Sequence, residues 1–297
     1  MNDFDINRAS YLKTIQAYIT RMPSLSTTVV KVLQTCNDPK ASANDLKRVI
    51  SLDPVLTGRV LKLINSAYYS LGTPIASLTR AIIMLGVNTV KNLALSFAIL
   101  DNFKGHSTCL SFSSDEFWRH SLCVGVVAKL LAALKGVPIP DLEGFFVAGL
   151  LHDLGKLPLY TQFPAEYYHV CETVQGEQEA LYHNEARYLG VDHGVVGSII
   201  GKKWHLGSTL VESLAYHHNP AESSDKNRDF VCVVALANQL TLHLNIGNAG
   251  DHFIDHTEVT ILMAEVGVDW TMLDDLQESA AGEIERAKFF LEMAQNG

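Results

Sequence analysis

The chain has 297 residues, of which 47% are hydrophobic and 19% charged, with a mean hydropathy of +0.11. That is enough apolar material for one large or two modest domains, and it excludes a disordered polyelectrolyte. Five scattered cysteines, Cys36, Cys109, Cys123, Cys171 and Cys232, argue against a disulfide framework or a Cys-x-x-Cys metal site and read as small core residues.

The net charge of −9 conceals an asymmetry. Residues 1–110 hold 12 Lys/Arg against 6 Asp and no Glu, a balance of +6, while residues 111–297 hold 11 Lys/Arg against 26 Asp/Glu, a balance of −15. A polar, turn-rich stretch near 105–112 (Lys104-Gly105-His106-Ser107-Thr108, then Ser111-Phe112-Ser113-Ser114) separates the two. The expected organisation is a basic lobe over 1–110, a second lobe over 111–245, and an acidic tail over 246–297 packed on the second lobe. The acidic opening Met1 to Asp5 is followed by no apolar signal region, and no run approaches the ~18 apolar residues of a membrane span, so we expect a cytoplasmic protein with no membrane contact.

In chain order the spacing predicts helices and no βαβ alternation. Leu25, Val29, Val32 and Leu33 mark one helix, ended by Asn37-Asp38-Pro39; Ala43, Leu46, Val49 and Ile50 mark the next, ended by Asp53-Pro54. Val55 to Ser66 gives a third, Gly72-Thr73-Pro74 breaks the chain, and Ser77 to Leu85 and Val87 to Leu100 give two more, joined at Gly86. Residues 43–66, with Lys47, Arg48, Arg59 and Lys62, have the outline of a helix-turn-helix. They lack the polar face that base reading demands, so nucleic acid is not the expected partner.

Ser113-x-x-Glu116 predicts a capping box that opens a helix running through His120 to about Leu134 and ending at Gly136-Val137-Pro138. Leu142 to Leu154 is the predicted helix that delivers His152 and Asp153, stopped by Gly155 and Pro158. One or two helices follow over 164–189, then a turn at Gly190-Val191-Asp192. His193 opens a helix to about Trp204, and Ser208 to His218 forms the next, before Asn219-Pro220 and a polar linker. Phe230 to Leu244 reads as a buried helix, and 256–297 as two helices divided at Gly267.

Candidate chemistry centres on Leu151-His152-Asp153-Leu154-Gly155-Lys156, at the end of an apolar run. A buried His-Asp pair is costly unless paired or coordinated. A divalent metal resolves that cost, as does a satisfied core hydrogen bond. His120, His193, His217 and His218 also lie in apolar helical surroundings, too far apart in sequence for a zinc finger but suited to ligands converging from separate helices. Adjacent helical residues do not share a face, so His152-Asp153 and His217-His218 can each act together only at helix ends. Such an imidazole-rich, carboxylate-poor set suits iron, zinc or nickel better than magnesium.

The first lobe carries the words Leu25-Ser26, Ile50-Ser51-Leu52-Asp53-Pro54-Val55-Leu56, Val60-Leu61-Lys62-Leu63-Ile64-Asn65-Ser66-Ala67-Tyr68-Tyr69, Ile75-Ala76-Ser77-Leu78-Thr79-Arg80-Ala81-Ile82 and Leu85-Gly86. Together these resemble the HDOD family, a divergent branch of the HD superfamily in bacterial signalling proteins, over about residues 20–240. The resemblance implies an all-α fold with an N-terminal helical bundle packed on an HD-like helical domain. The histidine order is similar to that of HD-GYP phosphodiesterases, which implies His120, His152, Asp153, His193, His217 and His218 as metal ligands and iron or manganese as the metal. It implies Lys156 as an aid to phosphate binding and Glu116 as an accessory acidic ligand. A capping role accounts for Glu116 without metal, and a solvated cation at a helix end accounts for Lys156.

Two departures bear on activity. Asn238 stands where the HD pattern ends in aspartate, and no Gly-Tyr-Pro follows His217-His218-Asn219-Pro220. An amide supplies no charge to a metal, so metal binding is expected to persist while hydrolysis is impaired. The sequence therefore favours a regulatory module that binds a signalling protein or a small anionic or nucleotide ligand. The competing reading is a metal-dependent phosphohydrolase with Asp153 and Lys156 as catalytic residues.

Overall fold

The computed structural model describes residues 3–38, 40, 42–66, 69, 73–103, 109, 111–177 and 179–295. The expected link at 104–108 and 110, together with Ala67, Tyr68 and Gly72, lies outside them. The described residues are helical and contain no strand. The first part runs α1 (Asp3–Arg21), α2 (Thr27–Asn37), α3 (Ala43–Ile50), α4 (Pro54–Ile64), α5 (Leu78–Leu85) and α6 (Val87–Asn102). The second runs α7 (Ser114–Leu134), α8 (Ile139–Leu151), α9 (Lys156–Gln162), α10 (Pro164–Glu177), α11 (Leu181–Leu189), α12 (His193–Lys203), α13 (Ser208–Tyr216) and α14 (Arg228–His243), and α15 (His256–Val266) and α16 (Trp270–Gln295) close the chain.

Side-chain caps set many of these starts. The oxygens of Ser26, Asp53, Ser77, Ser113, Asp192 and Asp255 accept backbone N–H groups in the first turns of α2, α4, α5, α7, α12 and α15. Ser42 and Asp45 form a reciprocal capping box on α3. At Ser113 only half of the expected box forms. Its hydroxyl accepts Glu116 N at 3.1 Å, while the Glu116 carboxylate turns to Arg119 at 3.4 Å.

The core of the second part is α7 against α8, with α14 across both. A Cβ on Gly149 would lie 2.7 Å from the Gly125 backbone, and one on Gly125 would lie 2.7 Å from the Phe146 carbonyl oxygen, so two glycines permit this close approach. Among the described residues α7 is the one single helix long and apolar enough to cross a membrane, and most of it is buried inside the protein. The first part joins the second through α6, whose residues from Asn92 to Leu100 are all buried against α2 and α8. Asn88 Nδ2 donates to Asp141 Oδ1 at 3.0 Å across that joint.

Four details depart from the sequence expectation. Helix α1, unread because its apolar residues are sparse, lies on α9, α11 and α12; Lys203 Nζ donates to the carbonyls of Ile19, Thr20 and Met22 at its C-terminal end. The helix expected over Leu142–Leu154 ends at Leu151, and His152 to Gly155 form a turn. Pro158 does not stop the chain, because it occupies the first turn of α9, where its missing N–H costs no hydrogen bond. Helix α16 packs on α7 and also reaches α4 and α6.

The two cations on α4 have contacts within the protein, Arg59 half-buried and Lys62 exposed. Arg59 pairs with Asp101 at 2.6 Å, and Lys62 Nζ sits 5.5 Å from the centre of the Phe289 ring.

Candidate metal centre

Six helices deliver the cluster. His120 projects from the middle of α7, and Asn238 from the middle of α14. His152 and Asp153 occupy the turn that ends α8, and Lys156 opens α9. His193 is the first residue of α12, after the Asp192 cap, and His217 and His218 follow the end of α13. Both adjacent pairs thus sit at helix ends, where the backbone leaves helical register. The α8–α9 turn meets α12 at Gly155, where a Cβ would lie 1.9 Å from the His193 carbonyl oxygen. No other residue fits there.

Asp153 is the hub. Its Oδ2 lies 2.8 Å from Lys156 Nζ, 3.3 Å from His152 Nε2 and 3.7 Å from His120 Nε2. Its Oδ1 lies 3.2 Å from His193 Nε2 and 3.9 Å from His217 Nε2. His193 Nε2 is 3.2 Å from His217 Nε2 and 3.0 Å from His218 Nε2. The carboxylate therefore bridges two groups of donors, His120 with His152 and His193 with His217 and His218. Except for the partly buried His218, which stacks on Tyr182 with ring centres 4.3 Å apart, these side chains are almost wholly removed from solvent.

The outer ring nitrogens determine which lone pairs face inward. His152 Nδ1 lies 2.7 Å from the Gly149 carbonyl, His217 Nδ1 lies 3.1 Å from the carbonyls of Ser213 and Leu214, and His193 Nδ1 lies 2.6 Å from Glu185 Oε2. Each of these acceptors assigns the proton to Nδ1 and leaves Nε2 as a bare lone pair pointing at Asp153. His152 Nε2 and Asp153 Oδ1 are buried and make no hydrogen bond. The facing lone pairs of His193 and His217, 3.2 Å apart, repel unless a cation lies between them. A divalent metal supplies that cation, and the residues present fit one.

The electrostatics agree. Burial drives the His120 imidazole down to about 3, against the Asp153 carboxylate. Burial and then neighbouring rings hold His217 and His218 well below the ordinary histidine value, so all three are neutral and ready to ligate. Burial alone would raise the Asp153 carboxyl, yet His152 and Lys156 outweigh it and keep the group ionised. His193 goes the other way: burial lowers it, but the adjacent Glu185 carboxylate raises it more.

Lys156 is not a solvated cation at a helix end. It is 1% exposed, and its ammonium donates to Asp153 Oδ2 and, at 3.1 Å, to the Ala249 carbonyl. Asp153, Asp251 and Glu185 keep it charged in spite of burial. The Ala249 carbonyl belongs to a segment folded over the cluster, residues 245–255. There Gly247, at a φ of +73°, passes so close to α7 that a Cβ would lie 2.3 Å from His120 N, and Asn248 N donates to the Glu116 carbonyl at 3.1 Å. Glu116 meets this segment through its backbone, and its half-exposed carboxylate stays with Arg119. Asn238 Oδ1 lies 3.1 Å from His120 Nε2.

Glu185 and Tyr167 were invisible to sequence reasoning. Glu185 is fully buried; Oε1 accepts Tyr167 OH at 2.7 Å, while Oε2 accepts both His193 N at 2.7 Å and His193 Nδ1 at 2.6 Å. The sole sequence signal was a glutamate eight positions before the histidine, and Glu179 in the same segment looks no different.

A sequence model described as the HDOD domain matches residues 22–220. Among curated proteins the chain is 24% identical over 224 residues to an uncharacterized protein of Treponema pallidum (strain Nichols), covering 74% of this chain and 42% of that protein. The chain thus spans less than half the length of the curated relative it matches. Among solved structures it resembles an HDOD domain protein with unknown function from Geobacter sulfurreducens (26% identity, TM-score 0.76, covering 95% of this chain and 98% of that one). It also resembles a chain from Shewanella amazonensis SB2B named "Putative phosphohydrolase" (21% identity, TM-score 0.70, covering 93% and 97%), a likeness of fold alone.

Proposed function

Because the chain belongs to the HDOD domain family, we propose that it is a bacterial, cytoplasmic regulatory module that holds a divalent metal as part of its folded core and does not hydrolyse phosphoesters. The observation that carries this reading is Lys156, whose buried ammonium is committed to Asp153 and the Ala249 carbonyl and is not presented to a ligand. His120, His152, Asp153, His193, His217 and His218 are the residues that would hold the metal, with iron or manganese, zinc or nickel as candidates. In a hydrolytic centre the metal would supply an activated water. That chemistry needs an open coordination position and a clamp for the phosphate, and here the lysine serves as counter-ion to Asp153 while residues 245–255 cover the cluster.

Signalling by such a module goes through binding. The basic first part carries a cavity of about 420 Å³ between α2, α4 and α6, lined by Ser24, Ser26, Asp53, Arg59, Asp101 and Asn102 among others. A pocket of this size, with Val29, Val55 and Leu56 beside the Arg59–Asp101 pair, accommodates a small ligand or a side chain of a signalling partner. The test is turnover: purified protein supplied with manganese, iron or zinc is incubated with cyclic dinucleotides and with a chromogenic phosphodiester. We expect no hydrolysis above the metal-only background. Robust metal-dependent turnover that disappears in Asp153→Ala would establish the phosphohydrolase reading instead.

A further inference from the structure

We infer that this chain holds a single divalent cation, that it does so in the half of the cluster formed by His193, His217, His218 and Asp153 Oδ1, and that Glu185 is the positioning residue that makes this half the stronger. The inference rests on the metal-holding reading above and deepens it.

The two halves differ in charge. In the first, the Asp153 oxygen that a cation would use already carries the Lys156 ammonium at 2.8 Å. His120 Nε2 is engaged with Asn238 Oδ1 at 3.1 Å, and the amide brings no negative charge. That half therefore contains a resident cation and a neutral ligand where charge balance calls for a carboxylate. It is also the covered half, since Gly247 packs on His120.

The second half has the opposite balance. Asp153 Oδ1 makes no hydrogen bond, and three Nε2 atoms converge beside it. Behind His193 stands the Glu185 carboxylate, fully buried and fixed by Tyr167 OH, His193 N and His193 Nδ1. This carboxylate sets the ring's tautomer and orientation, raises the basicity of its Nε2, and supplies the negative charge that the first half lacks. The same half faces the outside. His218 lines a cavity of about 260 Å³ together with Glu258, Glu265 and Arg228, which gives this half a route to the outside.

The test uses Co²⁺ as the probe on chelator-stripped, full-length protein, read by calorimetry and by the visible Co²⁺ spectrum. Wild type is expected to take up one equivalent. Glu185→Gln, which keeps size and acceptor but removes charge, should weaken binding by about 10–100-fold and shift the visible bands, with Tyr167→Phe changing both in the same direction. His193→Ala should abolish binding, whereas His120→Ala should retain one equivalent. Should Glu185→Gln fail to fold, as judged by circular dichroism, Tyr167→Phe carries the test. Two equivalents in wild type, loss of binding in His120→Ala, or wild-type affinity and spectrum in the Glu185 and Tyr167 variants would overturn the inference while leaving the metal-holding reading intact. No Co²⁺ uptake by wild type would overturn both.

Discussion

Lys156 Nζ lies 2.8 Å from Asp153 Oδ2, with both residues 1% exposed. Removing one member of a buried pair leaves the other charge uncompensated. Lys156→Met is therefore expected to destabilise the metal-free protein by about 3–5 kcal/mol. Urea unfolding in chelator measures this, and a divalent metal should recover part of the loss by taking the lysine's place at Asp153.

Gly155 predicts a second effect through geometry rather than charge. The position has ordinary helical dihedrals, so Gly155→Ala introduces no backbone strain of its own. Its Cβ would nevertheless lie 1.9 Å from the His193 carbonyl oxygen and 2.6 Å from Gly197 N. The α8–α9 turn and α12 must separate, carrying Asp153 away from His193. We expect a loss of at least about 2 kcal/mol in urea unfolding together with weaker metal binding, whereas Gly207→Ala, where a Cβ meets nothing within 4 Å, should leave both unchanged.

Acid should unfold the metal-free protein early. His120, at about 3, and His217 and His218, also lowered, have pKa values in the fold below the unfolded value, which is near 6.5. Between those values only the unfolded chain binds the protons, so unfolding takes up protons and stability falls as the pH is lowered through that window. His193, raised by Glu185, contributes in the opposite sense, with stability that is present at low pH and lost as the pH rises. Three groups oppose one, so the urea midpoint in chelator should drop steadily from about pH 6.5 downward. An unchanged midpoint would mean that these rings are solvated.

Asn238→Asp tests the charge account from the other direction. It places a carboxylate 3.1 Å from His120 and gives the first half of the cluster the charge it lacks. Metal titration should then show a second, weaker equivalent that is absent in wild type. An unchanged stoichiometry would show that Lys156, rather than Asn238, closes that half.

Much of this arrangement was legible in the sequence because short-range chemistry writes it there. The helix limits read at Ser77, at Asp192-His193 and at Gly267 agree with the fold, where these residues are caps whose preference for helix ends is local. The incompatibility of adjacent residues on one helical face places His152-Asp153 and His217-His218 at helix ends from the sequence alone. What stayed hidden depends on tertiary closure. Pro158 looks the same as a stop or as a first-turn residue. Lys156 becomes a buried counter-ion only because Ala249, 93 positions later, folds over it, and Glu185 becomes a histidine anchor only because α11 packs on α12.

The most direct measurement is the metal content of the wild-type protein, purified without chelator and determined by elemental analysis. Converging Nε2 lone pairs, the unpartnered Asp153 Oδ1 and the Glu185 anchor predict close to one equivalent of a transition-metal ion per chain, with iron, manganese, zinc or nickel far above magnesium. Protein that folds cooperatively, contains no metal and takes up none on addition would contradict the account and leave the cluster as a hydrogen-bonded core.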